Sequence, residues 1–284
     1  MKKILLFGST GFIGSHLKEA LTAKGYKVAD PRIEIRNLDE VRKTIEKEKP
    51  DYIINATGMT GKPNVDWCEE HPVETYSVNV GGSLNIAVAA LEHDIKVTQM
   101  SSGCVYDGDN NGKGWSETDK PNFFGSMYSR SRVASEMALK DFPNVLQLRV
   151  RIPILGKPHP KNLIDKLLKY PKMINIVNSC TVIEDFVPAA IQMMEMGKTG
   201  VMNMTNIGAM DHKAIMTMYK EIVDPAFELN IMDPEEQTSL CKRRSNCMLS
   251  TDKREKLGVH MPPLKESLKK VLESYKKALK GGGK

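Results

Sequence analysis

The chain has 284 residues, of which 40% are hydrophobic and 27% charged; these proportions are typical of folded globular proteins and exclude a disordered or fibrous chain. The net charge is +6, yet Arg, Lys and aromatic residues form no compact cluster, so we expect no nucleic-acid partner. No apolar run reaches the length of a membrane-spanning helix, and we expect no cleaved leader because residues 1–7 run into a glycine-rich turn. Five scattered cysteines without CxxC spacing indicate reduced thiols in a cytoplasmic protein.

The first predicted elements are a buried strand and a helix joined by glycines. Lys3–Phe7 is a short apolar run typical of a parallel strand, and Ser15–Ala23 is amphipathic. Between them stands GxxGxxG, in which glycines permit a tight turn and let the backbone approach a pyrophosphate at the helix N-terminus. We therefore expect a dinucleotide cofactor at this turn. The residues expected to bind it are Gly8, Thr10, Gly11, Phe12, Ile13 and Gly14.

The second predicted strand, Tyr26–Asp30, ends where dinucleotide folds select between cofactors. Asp30 stands about 20 residues after the glycines, which is the place of an acidic residue that binds the ribose of NADH. Arg32 and Arg36 follow at once, and arginines there suit a 2′-phosphate. We therefore expect NADPH, with Arg32 on the phosphate, and keep NADH as the alternative.

A helix and a third strand follow. Leu38–Lys47 is amphipathic, and Tyr52–Asn55 is a further buried apolar run. Small residues come directly after this strand, where the backbone would pass beside the cofactor. We therefore expect Asn55, Ala56 and Thr57 to contact it.

The polar loop Met59–Glu70 precedes a long predicted helix, Val73–Glu92. Loops at the carboxyl ends of strands carry function, so the loop is a candidate for substrate contacts. Its candidate residues are Thr60, Asn64 and Asp66. Asn79 lies inside the helix, where propensity does not favour it, and we expect its side chain to form a hydrogen bond near the active-site turn.

The strand Ile95–Met100 leads to the residues that carry the chemistry. Ser102 follows it and should open into the crevice where parallel sheets bind ligands. Tyr128 and Arg132 are four apart on a predicted helix and so share one face. A Ser hydroxyl, a Tyr and a cation form a proton-donating site for a carbonyl reduced by hydride. Cys104 stands two residues after Ser102 and should face the same cavity.

After the helix that ends at Lys140, the strand Val145–Val150 completes the regular alternation of strands and helices. The later elements expected are the helices Asn162–Leu168, Glu184–Met196, Lys213–Val223, Glu235–Leu240 and Leu264–Leu279, and the strands Ile174–Val177 and Val201–Met204. The pattern predicts an α/β protein with a Rossmann-type doubly wound parallel sheet in residues 1–153. Residues 154–280 should form mainly a smaller, mixed α/β lobe that binds substrate, and residues 281–284 a flexible tail.

These residues resemble the extended short-chain dehydrogenase/reductases, which combine an N-terminal GxxGxxG, a Ser or Thr ending a central strand, and Tyr-x-x-x-Lys. Longer segments are similar to the single-domain nucleotide-rhamnose 3,5-epimerase/4-reductases, and the similarity spans essentially the whole chain. These segments are TGKPNVDWCEE (60–70), SSGCVY (101–106), NFFGSMYS (122–129), LRVRIPI (148–154), PKNLIDK (160–166), VNSCTVIED (177–185) and RRSN (243–246). The dTDP-4-dehydrorhamnose reductases and GDP-fucose synthases are similar more distantly.

The resemblance implies conversion of an NDP-4-keto-6-deoxy-D-glucose, with UDP favoured, into NDP-β-L-rhamnose by NADPH. It implies a nucleotide-sugar substrate, an upstream NDP-glucose 4,6-dehydratase, and no metal; it leaves a homodimer open. In the similar enzymes a Cys matching Cys104 is the base for epimerisation, and a Lys matching Lys166 is the acid, with His159 the alternative here. The substrate ligands implied are Thr60, Asn64, Ser102, Arg151, Asn162 and, on the diphosphate, Arg244.

One residue departs from the pattern. Arg132 stands where these enzymes carry Lys; it keeps the positive charge but cannot give up a proton in a relay. Another nucleotide-sugar enzyme, a 4,6-dehydratase or a C4-epimerase, is one alternative function. Dehydratases of the similar enzymes carry Asp-Glu after the catalytic Ser or Thr, whereas Gly103 and Cys104 stand there in this sequence. A second alternative, a non-catalytic NADP(H)-binding regulatory protein, is favoured by Arg132 alone. A 4-dehydrorhamnose reductase without epimerase activity is a further alternative.

Overall fold

The computed structural model describes residues 1–281, which divide into two compact units. The first unit consists of Met1–Val105, Pro121–Arg149 and Ala190–Met202, and the second of Tyr106–Lys120, Val150–Ala189 and 203–281. These stretches interleave more than the sequence predicted, since the expected boundary lay at residue 153 and only late strands were expected to return to the main sheet. Two pairings account for the interleaving. Residues 200–203 return to the main sheet as its edge strand, and Gly108 and Trp115 form bridges with Cys247 and Leu249.

The first unit contains a six-stranded sheet in the order β2-β1-β3-β4-β5-β8. The strands are β1 (Lys3–Phe7), β2 (Lys27–Ala29), β3 (Tyr52–Asn55), β4 (Val97–Ser102), β5 (Val145–Val150) and β8 (Gly200–Asn203). β1 pairs in parallel with both β2 and β3, and β3 pairs in parallel with β4. The order reverses between β1 and β3, and this switch point is where such sheets bind ligands. The predicted Rossmann-type α/β fold is confirmed.

Helices flank this sheet because the strands bury apolar side chains that need cover. They are α1 (Phe12–Ala23), α2 (Leu38–Glu48), α3 (Trp67–Glu70), α4 (Pro72–Tyr76), α5 (Ser83–Leu91) and α6 (Met127–Leu139). The helix α8 (Ile183–Glu195) is divided between the two units at residue 190. One core cluster joins Leu5 and Phe7 of β1 to Val41 and Ile45 of α2 and to Ile86 of α5. Each such buried side chain contributes about 1.5–3 kcal/mol to stability. α1 begins at Phe12, three residues before the predicted start, because the last glycine of the turn is already helical.

The predicted helix Val73–Glu92 forms, but with a local widening. A π-helical stretch, Ser77–Gly82, lies between α4 and α5. Asn79 within it is 1% exposed and holds the loop before it, since its side chain accepts from the Met59 N–H at 2.8 Å and donates to the Met59 carbonyl at 3.0 Å. It also donates to the Ser131 hydroxyl at 3.0 Å. The predicted hydrogen-bonding role of Asn79 is confirmed.

The second unit combines a small parallel sheet with helices. Its elements are β6 (Pro153–Ile154), β7 (Thr181–Val182), α7 (Leu163–Leu167), α9 (His212–Ile222), α10 (Pro234–Cys241), α11 (Asp252–Lys256) and α12 (Leu264–Gly281). Its core packs Leu268 and Leu272 of α12 against Ile215 and Tyr219 of α9. The predicted helices of this region are confirmed.

The predicted strand Ile174–Val177 was wrong. Only its flanks pair, in single bridges from Met173 to Ile231 and from Asn178 to Met210. The segment is β-favouring by composition, but the Asn175 N–H is satisfied by the Gln237 side chain at 2.9 Å instead of by a neighbouring strand. Of the predicted tail, Gly281 ends α12, and residues 282–284 lie outside the described residues. Within residues 1–281, none of the helices combines the length and apolar character that crossing a bilayer requires.

Candidate active site

The glycine-rich turn after β1 closes tightly against the end of β3. Gly8 has a φ of +80°, and a Cβ on it would lie 2.7 Å from the backbone carbon of Ala56. A Cβ on Gly14 would lie 2.1 Å from the Gly8 carbonyl oxygen. Side chains are therefore excluded at both positions, and the backbone stays open at the start of α1. The N-cap residue Gly11 offers no side-chain hydrogen bond to that helix, so a bound anion could take the place of a cap.

A cavity of about 420 Å³ opens beside this turn. Its lining residues are Phe7, Gly8, Ser9, Thr10, Pro31, Arg32, Ile33, Ile35 and Thr57. Three predicted cofactor ligands on different segments, Gly8, Arg32 and Thr57, are thus brought together. Asn55 has a supporting position, because its side chain accepts from the Thr57 N–H at 3.0 Å and the Thr57 hydroxyl at 2.6 Å. It also donates to Gln99 at 2.7 Å, so the Asn55 amide fixes the turn that carries Thr57.

The two arginines after β2 differ. Arg36 forms an ion pair with Glu34 at 2.6 Å, and this hydrogen bond lowers the pKa of Glu34 to about 2. Arg32 is exposed, lines the cavity, and forms no ion pair within residues 1–281. The Arg32 guanidinium is therefore the one of the two that remains available to an anionic ligand.

Ser102 is the last residue of β4 and is 3% exposed. Its hydroxyl oxygen accepts from the Cys104 N–H at 3.1 Å, which fixes the turn where the strand ends. Cys104 is half-buried and is not part of a disulfide. The turn itself therefore joins Ser102 to the backbone of Cys104. That the Cys104 thiol faces the same cavity as Ser102 stays a prediction.

Tyr128 and Arg132 occupy the first two turns of α6. Ser126 caps this helix through a hydrogen bond from the Ser129 N–H at 3.2 Å, so Tyr128 lies in the first turn. The guanidinium carbon of Arg132 lies 5.2 Å from the centroid of the Tyr128 ring, within the range of a cation–π interaction. The predicted sharing of one helix face by these two residues is confirmed.

Arg132 is a buried cation that lies against a glycine. The side chain is 5% exposed, and its Nε atom has no hydrogen-bond partner within the described chain. A Cβ on Gly58 would lie only 2.3 Å from Nη2 of Arg132. Gly58 therefore makes the room that a guanidinium needs there. Gly58 directly follows the residues Asn55, Ala56 and Thr57 expected beside the cofactor, and nothing in the sequence indicates that it faces Arg132.

Glu69 is a contributor that the sequence did not indicate. It lies in α3, and its carboxylate accepts from the Met127 N–H at 2.5 Å and from Arg130 at 3.3 Å. It thereby holds the N-terminal end of the helix that carries Tyr128. The partners are 58 residues apart, and no local pattern reports such a contact. The predicted ligand Asn64 accepts from the Asp66 N–H at 2.8 Å, which makes a turn in the same loop. Thr60 is half-buried beside that turn.

The remaining predicted residues belong to the second unit. Arg151 is 1% exposed and donates to Asn178 and, at 2.6 Å, to the Ser245 carbonyl. It therefore anchors the loop that carries Arg244. Asn162 caps α7 and exchanges hydrogen bonds with the backbone of Leu155 at 3.1 and 2.9 Å. These bonds give Asn162 a folding role, and its contact with substrate stays a prediction.

The two alternative acids, Lys166 and His159, also lie in this unit. Lys166 is in α7 and half-buried. The Nδ1 atom of His159 accepts from the Lys161 N–H at 3.0 Å, so a proton on the neutral ring would be at Nε2. Both residues can therefore donate a proton, and the choice between them stays open.

The chain is similar to two Arabidopsis thaliana enzymes over nearly all of its own length. It is 37% identical over 281 residues to the Arabidopsis thaliana bifunctional dTDP-4-dehydrorhamnose 3,5-epimerase/dTDP-4-dehydrorhamnose reductase, covering 96% of this chain and 93% of that protein. It is 38% identical over 279 residues to an Arabidopsis trifunctional UDP-glucose 4,6-dehydratase/UDP-4-keto-6-deoxy-D-glucose 3,5-epimerase/UDP-4-keto-L-rhamnose-reductase. That match covers 95% of this chain but 42% of the relative, so the chain spans less than half of the trifunctional protein.

A solved structure agrees over nearly its whole length. The crystal structure of the L780 UDP-rhamnose synthase from Acanthamoeba polyphaga mimivirus superposes with a TM-score of 0.92 at 32% identity, covering 96% of this chain and 99% of that one. The family model described as RmlD substrate binding domain matches residues 1–277. With the glycine-rich turn, the serine that ends β4 and the tyrosine of α6 in place, the chain belongs to the RmlD substrate binding domain family.

Proposed function

We propose that the protein is an NADPH-dependent enzyme that converts an NDP-4-keto-6-deoxy-D-glucose into NDP-β-L-rhamnose, epimerising C3 and C5 and reducing C4. The observation that carries this proposal is the pairing of Tyr128 with Arg132 on α6, with a ring-to-guanidinium distance of 5.2 Å. A phenol beside a fixed cation is a proton donor suited to an alkoxide. The relatives named above as epimerase/reductases and as a UDP-rhamnose synthase support the same activity, and UDP is the nucleotide we favour.

The residues of the first unit fit a dinucleotide. The turn at Gly8 and Gly14 forms a cradle that a Cβ would fill, and Arg32 lines the adjoining cavity without an ion pair among the described residues. The buried Nε of Arg132, which lacks a partner in residues 1–281, offers a donor to the cofactor ribose. NADPH, when bound, supplies the hydride that reduces the C4 carbonyl.

The chain supplies the proton and the charge stabilisation for this reduction. The Ser102 hydroxyl, fixed at the end of β4, donates to the C4 oxygen as negative charge develops there. Tyr128 then gives its phenolic proton to that oxygen. The Arg132 charge favours the phenolate left behind, because an opposite charge stabilises an ionised neighbour. Arg132 takes no part as a proton carrier, since guanidinium does not lose its proton in proteins.

Epimerisation uses the same carbonyl. Cys104 acts as the base that removes a proton from the carbon next to C4, and Ser102 stabilises the enolate oxygen. An acid on the opposite face of the sugar returns a proton to carbon, and Lys166 or His159 takes that role. The 4-keto sugar must come from a 4,6-dehydratase, an activity that is named in the trifunctional relative and that we assign to a separate protein or domain.

The test is to mix the protein with NADPH and UDP-4-keto-6-deoxy-glucose and to follow NADPH absorbance, with product stereochemistry read by NMR. We expect NADPH oxidation that depends on the sugar, and a product with the L-rhamno configuration. The dTDP sugar, run in parallel, tests the nucleotide. Oxidation of NADPH only when a pre-epimerised 4-keto-rhamnose is supplied would leave a reductase alone. Cofactor binding without turnover of either sugar would favour the regulatory protein.

A further inference from the structure

Asp30, at the end of β2, does not present a free carboxylate. Its Oδ2 atom accepts from the Ser9 hydroxyl at 2.8 Å and from the Lys18 ammonium at 2.8 Å. Ser9 belongs to the glycine-rich turn and Lys18 to α1, so the carboxylate is tied to the elements that bind the cofactor. The ion pair is partly exposed, with side-chain exposures of 47% for Lys18 and 28% for Asp30.

A free carboxylate at this position would act against NADPH. An acidic residue after the second strand of a dinucleotide fold accepts hydrogen bonds from the ribose 2′-hydroxyl, and it repels a 2′-phosphate. The Asp30 carboxylate is ionised, since the hydrogen bond from Lys18 holds its pKa below its usual range. Asp30 therefore carries a negative charge in the folded protein, and the ammonium of Lys18 balances that charge.

The other charges nearby favour an anion. Arg32 lies two residues further on, lines the 420 Å³ cavity together with Ser9, and forms no ion pair in the described part of the chain. Arg36 is paired with Glu34 at 2.6 Å, so its charge is already balanced. Because Lys18 balances the charge of Asp30, the positive charge of Arg32 remains uncompensated and can attract a phosphate.

We propose that Lys18 is a cofactor-specificity residue. Its ion pair with Asp30 neutralises the carboxylate, which would otherwise repel the ribose 2′-phosphate of NADPH. Arg32 can then bind that phosphate. The inference rests on the proposed use of NADPH. It differs from the expectation drawn from sequence, in which Asp30 and Arg32 favoured opposite cofactors and Lys18 had no part. Lys18 lies on a helix 12 residues before its partner, and no motif marks it.

The experiment measures the dissociation constants of NADPH and NADH from the fluorescence of the bound nicotinamide, without any sugar. The variants are Lys18→Met, Asp30→Asn and the double variant. Lys18→Met should weaken NADPH about tenfold while NADH binds equally or more tightly, because one uncompensated charge a few ångströms from a phosphate has about this effect near a protein surface. Asp30→Asn should keep NADPH affinity. The double variant should recover most of the NADPH affinity that Lys18→Met loses.

The matched control is Lys24→Met. Lys24 is the C-cap residue of the same helix, is 50% exposed, and pairs with Glu195 at 2.6 Å. The Lys24→Met substitution removes the same charge and a similar ion pair as Lys18→Met. It should leave the ratio of the NADPH and NADH dissociation constants unchanged. Lys18→Gln repeats the test with a side chain that can still hydrogen-bond, in case the Met variant unfolds.

Two outcomes would overturn the inference. One is an unchanged NADPH-to-NADH ratio in both Lys18 variants; the other is a double variant no better than Lys18→Met, which would mean that Lys18 acts independently of Asp30. In either case wild-type binding of NADPH would leave the proposed function standing. Failure of the wild-type protein to bind either nucleotide would refute the proposed function itself.

Discussion

Replacing Gly58 by Ala tests whether the position of the Arg132 guanidinium controls the reductase step. A Cβ on Gly58 would lie 2.3 Å from Nη2 of Arg132, and real Cβ contacts essentially never fall below 3.0 Å. Either the Arg132 side chain or the backbone at residue 58 must therefore shift, and we expect Nη2 of Arg132 to move by about 0.7 Å from its place near Tyr128. Because a displacement near 1 Å at a reacting geometry can cost about 10²-fold in rate, we expect kcat for NADPH oxidation to fall by about that factor.

Adding Arg132→Lys to the Gly58→Ala variant should restore much of the activity, since a compact ammonium needs less room than a planar guanidinium. The assay is steady-state NADPH oxidation with the 4-keto sugar, with thermal unfolding measured on the same samples. Gly81→Ala is the matched control, because a Cβ there would meet nothing within 4 Å. Wild-type kcat in Gly58→Ala, or failure of Arg132→Lys to rescue it, would refute the role given to this contact.

Three further predictions follow from the site and from the second unit. Cys104→Ala should stop deuterium from entering C3 and C5 of the keto sugar while reduction of an epimerised intermediate continues; Tyr128→Phe should allow exchange and lower NADPH oxidation by about 10²–10⁴. If deuterium exchange at C3 and C5 in Cys104→Ala matched that of the wild type, Cys104 could not be the base. Glu69→Ala should lower kcat while NADPH affinity is kept, because α6 loses the acceptor at the Met127 N–H; unchanged kcat would limit Glu69 to a surface role. Burial lowers the pKa of His212 from 6.5 to about 4. Between these two pH values the unfolded chain binds a proton that the folded chain does not. The free energy of unfolding should therefore fall by up to about 1.4 kcal/mol per pH unit as the pH drops from 6.5 to about 4. His212→Gln should flatten that dependence in urea titrations, and an equally steep profile would contradict the assignment.

Patterns in the sequence predicted the features of the fold and the site that depend only on residues close together in the chain. The strand–glycine–helix order gave the turn at Gly8, and four-residue spacing gave the shared face of Tyr128 and Arg132, because helix periodicity alone determines it. The strand expected at Ile174–Val177 shows where this fails. Its composition is β-favouring, but a strand also needs a partner edge, and only its flanking residues pair.

Contacts between distant segments were beyond the reach of such patterns. Glu69 reaches the start of α6 across 58 residues, and Gly58 faces a guanidinium that lies 74 positions later in the sequence. Neither residue type is unusual where it stands, since a glycine after a strand and an acid in a short helix are ordinary features. What makes them part of the site is the fold that brings α3 and the end of β3 to α6.

The substitution of Arg for Lys separates two duties that one residue usually combines. A lysine beneath a catalytic tyrosine can stabilise a phenolate and can also exchange protons, whereas an arginine can only do the first. The structure gives Arg132 what the first duty requires: burial to 5% exposure, a position 5.2 Å from the Tyr128 ring, and space opposite Gly58. Under the proposed mechanism, the phenolic proton that Tyr128 loses in each turnover must be replaced by another route. The half-buried exposure of Tyr128 allows solvent to provide it, so the departure from the family pattern is compatible with turnover through charge alone.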